Sequence, residues 1–297
     1  MGIITNVFAK LYHNQDPLLT SCVAVSVGLL GYIVYREQFD RYRPKEANDM
    51  TPFINDPTEH DGFTKDEMML LHDPFDLPHI PFKHFLRRKD GEMVQRAREF
   101  YELMNARRSV RMFSDEPVPI EAIRDAIRTA GTSPSGAHTE PWTFVVVGDK
   151  ALKQEIRRIV EQEEKVNYDR RMSRQWVKDL APLRTNWEKE YLSVVPYIIV
   201  VFKKAYDLMP DSKRRNNYYY EQSTAIACGL LIAALHNAGM ATLTSTPMNA
   251  GPDLAALLGR PEHEKVALLL PVGYPAKDCT IPNLKRKAYE EIATEFL

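Results

Sequence analysis

Helices and strands layered about a buried sheet are the fold the sequence predicts, and three patterns carry that prediction. Apolar residues recur at helical spacing through 94–106, 120–130 and 150–166. Compact runs at 142–147, 194–202 and 266–272 are rich in β-branched and other apolar residues, as strands are. A longer segment, 219–238, is apolar nearly all round its 225–235 stretch, which predicts a buried central helix. The two element types alternate irregularly and without an internal repeat, so periodicity leaves a doubly wound sheet as open as other layered α/β arrangements.

The chain has 297 residues, and its apolar fraction suits a folded protein with a substantial core. Its 39 basic and 40 acidic residues nearly cancel, so no net field draws it to nucleic acid or an anionic surface. Cys22, Cys228 and Cys279 lie far apart without metal-ligand spacing, which fits neither a disulfide framework nor a zinc site and points to a reducing compartment.

Residues 1–17 read as an N-terminal tail. Residues 18–35 carry no charge and as a helix would span roughly 27 Å, close to a bilayer core, which predicts a transmembrane helix. The run is long for a signal-peptide core, Lys10 is the only Lys or Arg before it, and no small-residue cleavage site follows. Arg36, Arg41, Arg43 and Lys45 come next, so a single-pass membrane protein with a cytosolic catalytic domain is expected. Residues 36–92 are polar and rich in Asp, Pro and His, and read as a linker that partly wraps the domain. Its His72, His79 and His84 lack acidic or cysteine companions at ligand spacing and read as solvated.

Residues 93–297 form the expected catalytic domain. The helix over 94–106 carries Ala97, Phe100, Tyr101 and Met104 on one side. Pro119 opens a second helix, with Ile120, Ile123, Ala126, Ile127 and Ala130 at helical spacing and Gly131 as its stop. Residues 240–245 are a strand candidate, and 252–258 a short helix ended by Gly259.

Chemistry concentrates first in Arg107, Arg108, Ser109, Val110 and Arg111. Guanidinium forks bind phosphate oxygens in bidentate fashion and a serine hydroxyl adds a donor, although basic residues also finish helices simply by favourable dipole interaction. Downstream, the turn-rich stretch 132–142 holds Pro134, Ser135, Gly136 and Ala137, small residues that let backbone amides approach a planar ligand. The cluster, the intervening helix, this loop and its Pro141-Trp142 exit together resemble the nitroreductase superfamily of FMN enzymes. The wording Ser135-Gly-Ala-His-Thr-Glu-Pro-Trp-Thr-Phe-Val-Val-Val, with Arg184-Thr-Asn-Trp187 and Pro271-Val-Gly-Tyr-Pro275, resembles the branch that dehalogenates iodinated tyrosine.

The resemblance covers about residue 78 to the C-terminus. It implies an α+β fold with a central, mainly antiparallel sheet flanked by helices, in an intertwined homodimer with FMN at the interface. It implies that Arg107, Arg108, Ser109, Val110, Arg111 and Arg286 hold the flavin phosphate, that Pro134 and Ser135 reach the flavin, and that Thr244, Ser245 and Thr246 lie near its ring. The Thr246 hydroxyl is implied as the donor toward flavin N5; read locally, the three are a strand-end hydroxyl cluster satisfying backbone.

Glu164, Tyr168 and Lys189 are implied as a substrate clamp, an anion for an ammonium and a cation for a carboxylate with an aromatic hydroxyl beside them. Glu164 and Tyr168 stand at i,i+4, on one helix face, yet both charges belong to charged runs of the kind that coat solvated helices. Trp176 and Trp187 are expected to pack this lid. The backbone amide of Ala137 is the expected donor to the substrate phenolate.

The implied activity is FMN-dependent reductive dehalogenation of mono- and diiodotyrosine, with NADPH as ultimate reductant through a separate reductase. Two other readings stay open on the residues: a general FMN nitro or quinone reductase, which needs the flavin cluster but not the clamp, and a flavin-bound regulatory membrane protein without catalysis.

Overall fold

The structure, a computed structural model, describes residues 79–297 except His84 and Asp211. The predicted tail, transmembrane helix and most of the linker, with His72 and His84, lie outside the described residues. Among the described residues no helix is long and apolar enough to cross a membrane.

The first helix, α1 (Asp90–Ala106), begins with Asp90 and Glu92 in its first turn, where acid favours the positive end of the helix dipole. It is followed by α2 (Ile120–Gly131), which buries Ile123, Ala126 and Ala130. Then come β1 (Trp142–Val147) and α3 (Lys150–Val166); the Asp149 carboxylate accepts from the Leu152 N–H at 2.8 Å and caps α3. A π-helical turn, Asn167–Arg171, continues α3.

Two short helices, α4 (Arg174–Leu180) and α5 (Tyr191–Val194), lead to β2 (Tyr197–Lys204). A hairpin of β3 (Tyr206–Leu208) and β4 (Arg214–Asn216) precedes α6 (Tyr220–Asn237). The chain closes with β5 (Ala241–Thr242), α7 (Gly251–Leu257) and β6 (Glu264–Gly273). Gly259, just past α7, sits at φ 61°, the left-handed conformation that ends helices.

The sheet order is β1-β2-β6-β5, and every adjacent pair is antiparallel. That removes the doubly wound alternative, which needs parallel strands. Residues 198–202 of β2 have no exposed surface, and their side chains alternate between two cores. Ile198, Val200 and Phe202 pack with Ile156, Val160 and Leu254 from α3 and α7. Ile199 and Val201 pack with Ile123, Leu231 and Leu235 from α2 and α6. Helices therefore cover both faces of the sheet.

Four expectations need correction. The strand expected over 194–202 starts at Tyr197: Val194 ends α5, and Pro196 has no N–H to contribute to a ladder. The strand expected over 240–245 keeps only β5 and an isolated bridge of Ser245 to Leu269; continuing the register puts Pro271, which cannot donate, opposite Leu243.

The helix expected to be buried all round, α6, is covered on one side only. Ser223, Thr224, Ala227, Cys228, Leu231 and Leu235 are buried, while Ile226 and Leu230 face outward at 47% and 37% exposure. Likewise α1 starts at Asp90 instead of 94 and buries none of its residues in the single chain, with Phe100 and Tyr101 each 57% exposed. Both helices have apolar sides that no other part of the described chain covers, which is why their composition overstated their burial.

Leu231 meets α2 and the sheet with no exposed surface. Leu231→Ala is expected to lower unfolding free energy by about 2–5 kcal/mol, read from denaturant midpoints at unchanged slope.

Candidate functional site

The arginine cluster is placed by the edge of the sheet. Beyond α1 the chain runs extended past β5: Ser109 bridges Thr242, the Val110 N–H donates to the Thr242 carbonyl at 3.1 Å, and the Ser114 N–H donates to the Tyr274 carbonyl at 2.9 Å. Val110 is 5% exposed and points into the core, so alternation sends its neighbours Ser109 and Arg111 the other way.

The C-terminal stretch returns over this segment. Arg286 donates through Nη1 to the Asn105 carbonyl at 2.8 Å and to its Oδ1 at 2.9 Å, and through Nη2 to the Arg107 carbonyl at 3.0 Å. Arg108 Nη2 donates to the Pro282 carbonyl. Between the two segments lies a cavity of about 310 Å³ lined by Arg107, Arg108, Ser109, Arg111, Lys285 and Arg286, with no carboxylate on its wall. A wall of cationic forks and a hydroxyl without a balancing acid has the chemistry of a phosphate site. Arg286 thus straps the tail down with three of its five N–H groups and leaves two unengaged by the described chain. A second cavity of about 610 Å³ shares Ser109 and Arg111 and extends to Arg184 and Asn283.

The loop 132–141 is held in a costly conformation. Ala137, His138 and Glu140 all have positive φ, near 50°, which residues with a Cβ adopt only under constraint. The constraint is visible: the Ser135 hydroxyl accepts from the Glu140 N–H at 3.0 Å, Thr139 donates to the Gly136 carbonyl at 3.0 Å, and Thr224 donates to the Pro141 carbonyl at 3.2 Å. A Cβ on Gly136 would stand 2.6 Å from the Tyr218 carbonyl oxygen, so only glycine lets the loop lie against that backbone. Ala137 is exposed in the first turn of the short helical segment Gly136–His138, where N–H groups have no partner within the turn.

Glu164, Tyr168 and Lys189 meet. Lys189, 7% exposed in its side chain, lies 3.5 Å from the Glu164 carboxylate; its ammonium sits 5.7 Å from the Tyr168 ring centre and donates to the Asn186 carbonyl. Tyr168 OH donates to the Thr185 carbonyl at 3.4 Å. Burial pushes the Lys189 ammonium below the ordinary lysine range against the pull of Glu164, and burial with the Glu164 charge pushes the Tyr168 hydroxyl up. Arg111 acts on both groups, lowering each, so the phosphate side of the site and the clamp lie within electrostatic reach.

Trp187 packs this region under the Lys165 ammonium at 5.4 Å, as expected. Trp176, on α4, is 48% exposed, so in the single chain it packs over only about half of its surface.

Thr244, Ser245 and Thr246 follow β5. Ser245 is locked to Leu269 by two backbone hydrogen bonds, 3.0 and 2.8 Å, and alternation turns Thr244 and Thr246 outward together, both exposed. Of the three cavities lined by arginines of this cluster, none is lined by Thr244, Ser245, Thr246, Pro134 or Ser135. The single chain thus joins the arginines to Arg286 and brings Glu164, Tyr168 and Lys189 together, while the loop and threonine groups stand apart from the arginine wall. Sequence reasoning missed Asn167 and Tyr191. Asn167 is fully buried beside Glu164, and Tyr191 is partly buried near Arg111 and Glu164, its hydroxyl pushed up by desolvation. Neither has a sequence signal, since a lone Asn or Tyr in a charged stretch looks like surface.

With this geometry in hand, the comparisons with known proteins are specific. The chain is 49% identical over 281 residues to iodotyrosine deiodinase of Danio rerio, covering 91% of this chain and 95% of that one. It is 57% identical over 214 residues to iodotyrosine deiodinase 1 of Homo sapiens, covering 72% and 74%. A crystal structure of oxidized iodotyrosine deiodinase bound to FMN and 3-iodo-L-tyrosine superposes with a TM-score of 0.56 at 29% identity, over 66% of this chain and all of that one. The family model described as the nitroreductase family matches residues 104–274, more than half the sequence, and the chain belongs to the nitroreductase family.

Proposed function

We infer that this chain is an FMN-dependent enzyme that reductively removes iodide from iodinated tyrosine. The observation that carries the reading is the buried pairing of Glu164 with Lys189 beside Tyr168, within electrostatic reach of the Arg111 that also lines the phosphate-type cavity. A general nitro or quinone reductase has no use for two opposite charges held at the span of an amino acid zwitterion. The relatives' names and the ligands of the superposed structure support the same reading.

Arg107, Arg108, Ser109, Val110, Arg111 and Arg286 would hold the FMN phosphate, Pro134 and Ser135 the flavin's side, and Thr244, Ser245 and Thr246 its ring. Reduced FMN supplies the electrons for the reaction, in which the carbon–iodine bond breaks, a carbon–hydrogen bond forms, and two electrons and a proton are consumed. The chain's own residues select and orient. Glu164 receives the substrate ammonium, Lys189 its carboxylate, and Tyr168 closes over them. The Ala137 N–H donates to the phenolate oxygen, fixing the ring by direction as well as charge. Thr246 would direct its outward hydroxyl to the flavin ring.

A homodimer is part of this reading, supported by the uncovered apolar sides of α1 and α6. So are the membrane anchor at 18–35, the cytosolic placement of a domain spanning 93–297, and a separate NADPH-linked reductase as electron source; the uncharged run and the basic residues after it support the anchor.

The test is anaerobic: reduce the bound flavin, add iodotyrosine, and follow flavin oxidation together with iodide and tyrosine release. Stoichiometric release is expected. Flavin oxidised by small quinones but not by iodotyrosine overturns the reading. Glu164→Gln and Lys189→Gln are each expected to lower kcat/KM for iodotyrosine by about 100-fold or more, as loss of a buried charge-assisted contact does, with quinone turnover little changed. Arg286→Ala is expected to weaken FMN binding about tenfold or more in a fluorescence titration, through lost charge and a loosened tail.

A pH dependence follows from Lys189. Its pKa lies below 10.5 in the folded protein, so raising pH discharges it earlier than an exposed lysine and removes the carboxylate's partner. KM for iodotyrosine should therefore rise with pH below the usual lysine range, while KM for 2-iodophenol, which has no carboxylate, shows no such limb. Lys189→Arg should flatten the iodotyrosine limb, because guanidinium stays charged.

A further inference from the structure

Asn167 has no exposed surface, yet its side chain uses its full hydrogen-bonding capacity. Nδ2 donates to Glu164 Oε1 at 3.1 Å and to the Met248 carbonyl at 3.2 Å. Oδ1 accepts from Arg171 Nη1 at 3.0 Å and from Asn249 Nδ2 at 3.3 Å. The orientation of the amide is forced, since a carboxylate and a backbone carbonyl only accept and a guanidinium only donates.

These contacts join parts of the proposed site that nothing else in the described chain is seen to connect so directly. Glu164 presents Oε1 to Asn167 and Oε2 to Lys189, so the amide decides which carboxylate oxygen is left for the interior of the clamp. Met248 and Asn249 come just after Thr246, whose neighbour Ser245 is locked to β6. Asn167 also opens the π-helical turn that carries Tyr168, and Arg171 closes that turn with a second bond to Glu163 at 2.7 Å. Turns of this kind recur at functional sites because the extra residue redirects a side chain.

We propose that Asn167 is a positioning residue for substrate recognition, holding the Glu164 carboxylate in the orientation that receives the substrate ammonium and pinning the root of the clamp to the 247–249 loop. The proposal rests on the halotyrosine reading above. It separates from a merely structural role because the effect runs through Glu164: it concerns substrates with an ammonium and leaves those without one.

The experiment uses the full-length, FMN-loaded protein and measures dissociation constants for 3-iodotyrosine and 2-iodophenol by quenching of flavin fluorescence. Asn167→Leu, which keeps the size and removes every polar contact, is expected to weaken iodotyrosine binding about tenfold, the scale of one charge-assisted hydrogen bond, while 2-iodophenol changes by less than about twofold. If that variant does not fold, Asn167→Ser gives the same comparison at smaller volume. In Glu164→Gln background the Asn167 substitution should add little, because its target is gone.

Hydrogen exchange over 161–172, expected to slow on iodotyrosine binding in the wild type, should respond less in the variants. Unchanged iodotyrosine affinity, or equal weakening for both ligands, overturns the proposal while leaving the deiodinase reading intact. A wild type that binds no iodotyrosine overturns both.

Discussion

Water can reach residues 198–202 of β2 from neither face, and most of the architecture answers to that constraint. Five consecutive residues without exposed surface must find partners on both sides, so α3 and α7 cover one face while α2 and α6 cover the other. Polar chemistry has no place in such a sandwich. It is displaced to the edge beyond β5, where the arginine segment runs, and to the loops around the sheet, where the strained turn at Ala137 and the threonines after β5 sit. Burial of a central strand and exposure of a binding surface are two sides of one arrangement.

The same logic governs charge. Arg107, Arg108, Arg111 and Arg286 stand around a shared cavity without a carboxylate in its wall, an arrangement that an anion would relieve. Glu164 and Lys189 are more deeply buried, and there each charge is compensated by the other and by neighbouring amide and carbonyl groups. One half of the site is thus built to await a counter-charge and the other to exchange one.

Local patterns in the sequence carried much of this fold. The strand at Trp142–Val147 and the helix at Lys150–Val166 match their expected bounds, because β-branched runs and helical spacing are signals of short range. Proline defeated the finer bounds: Pro196 and Pro271 interrupt ladders through a missing N–H whose effect depends on the partner strand, which one strand's composition does not reveal. Strand direction was equally invisible to periodicity and came only through resemblance. The arginine run and the glycine-bearing loop stand out in the sequence because their residue types are unusual together, and of the two the structure brings only the arginines to the cavity wall. Asn167 does not stand out, since its importance lies in four contacts that folding creates, two of them with residues some eighty positions away.

If Glu164 and Lys189 receive substrate as proposed, their mutual neutralisation would make them a coincidence detector. A lone amine that captured the glutamate would strand a buried lysine, and a lone carboxylate that captured the lysine would strand a buried glutamate; each exchange gives up about as much as it gains. Only a guest bearing both poles at the right separation replaces one ion pair with two. Under the proposed reading, simple amines and organic acids would be rejected without any steric barrier, because neither alone can open the pair.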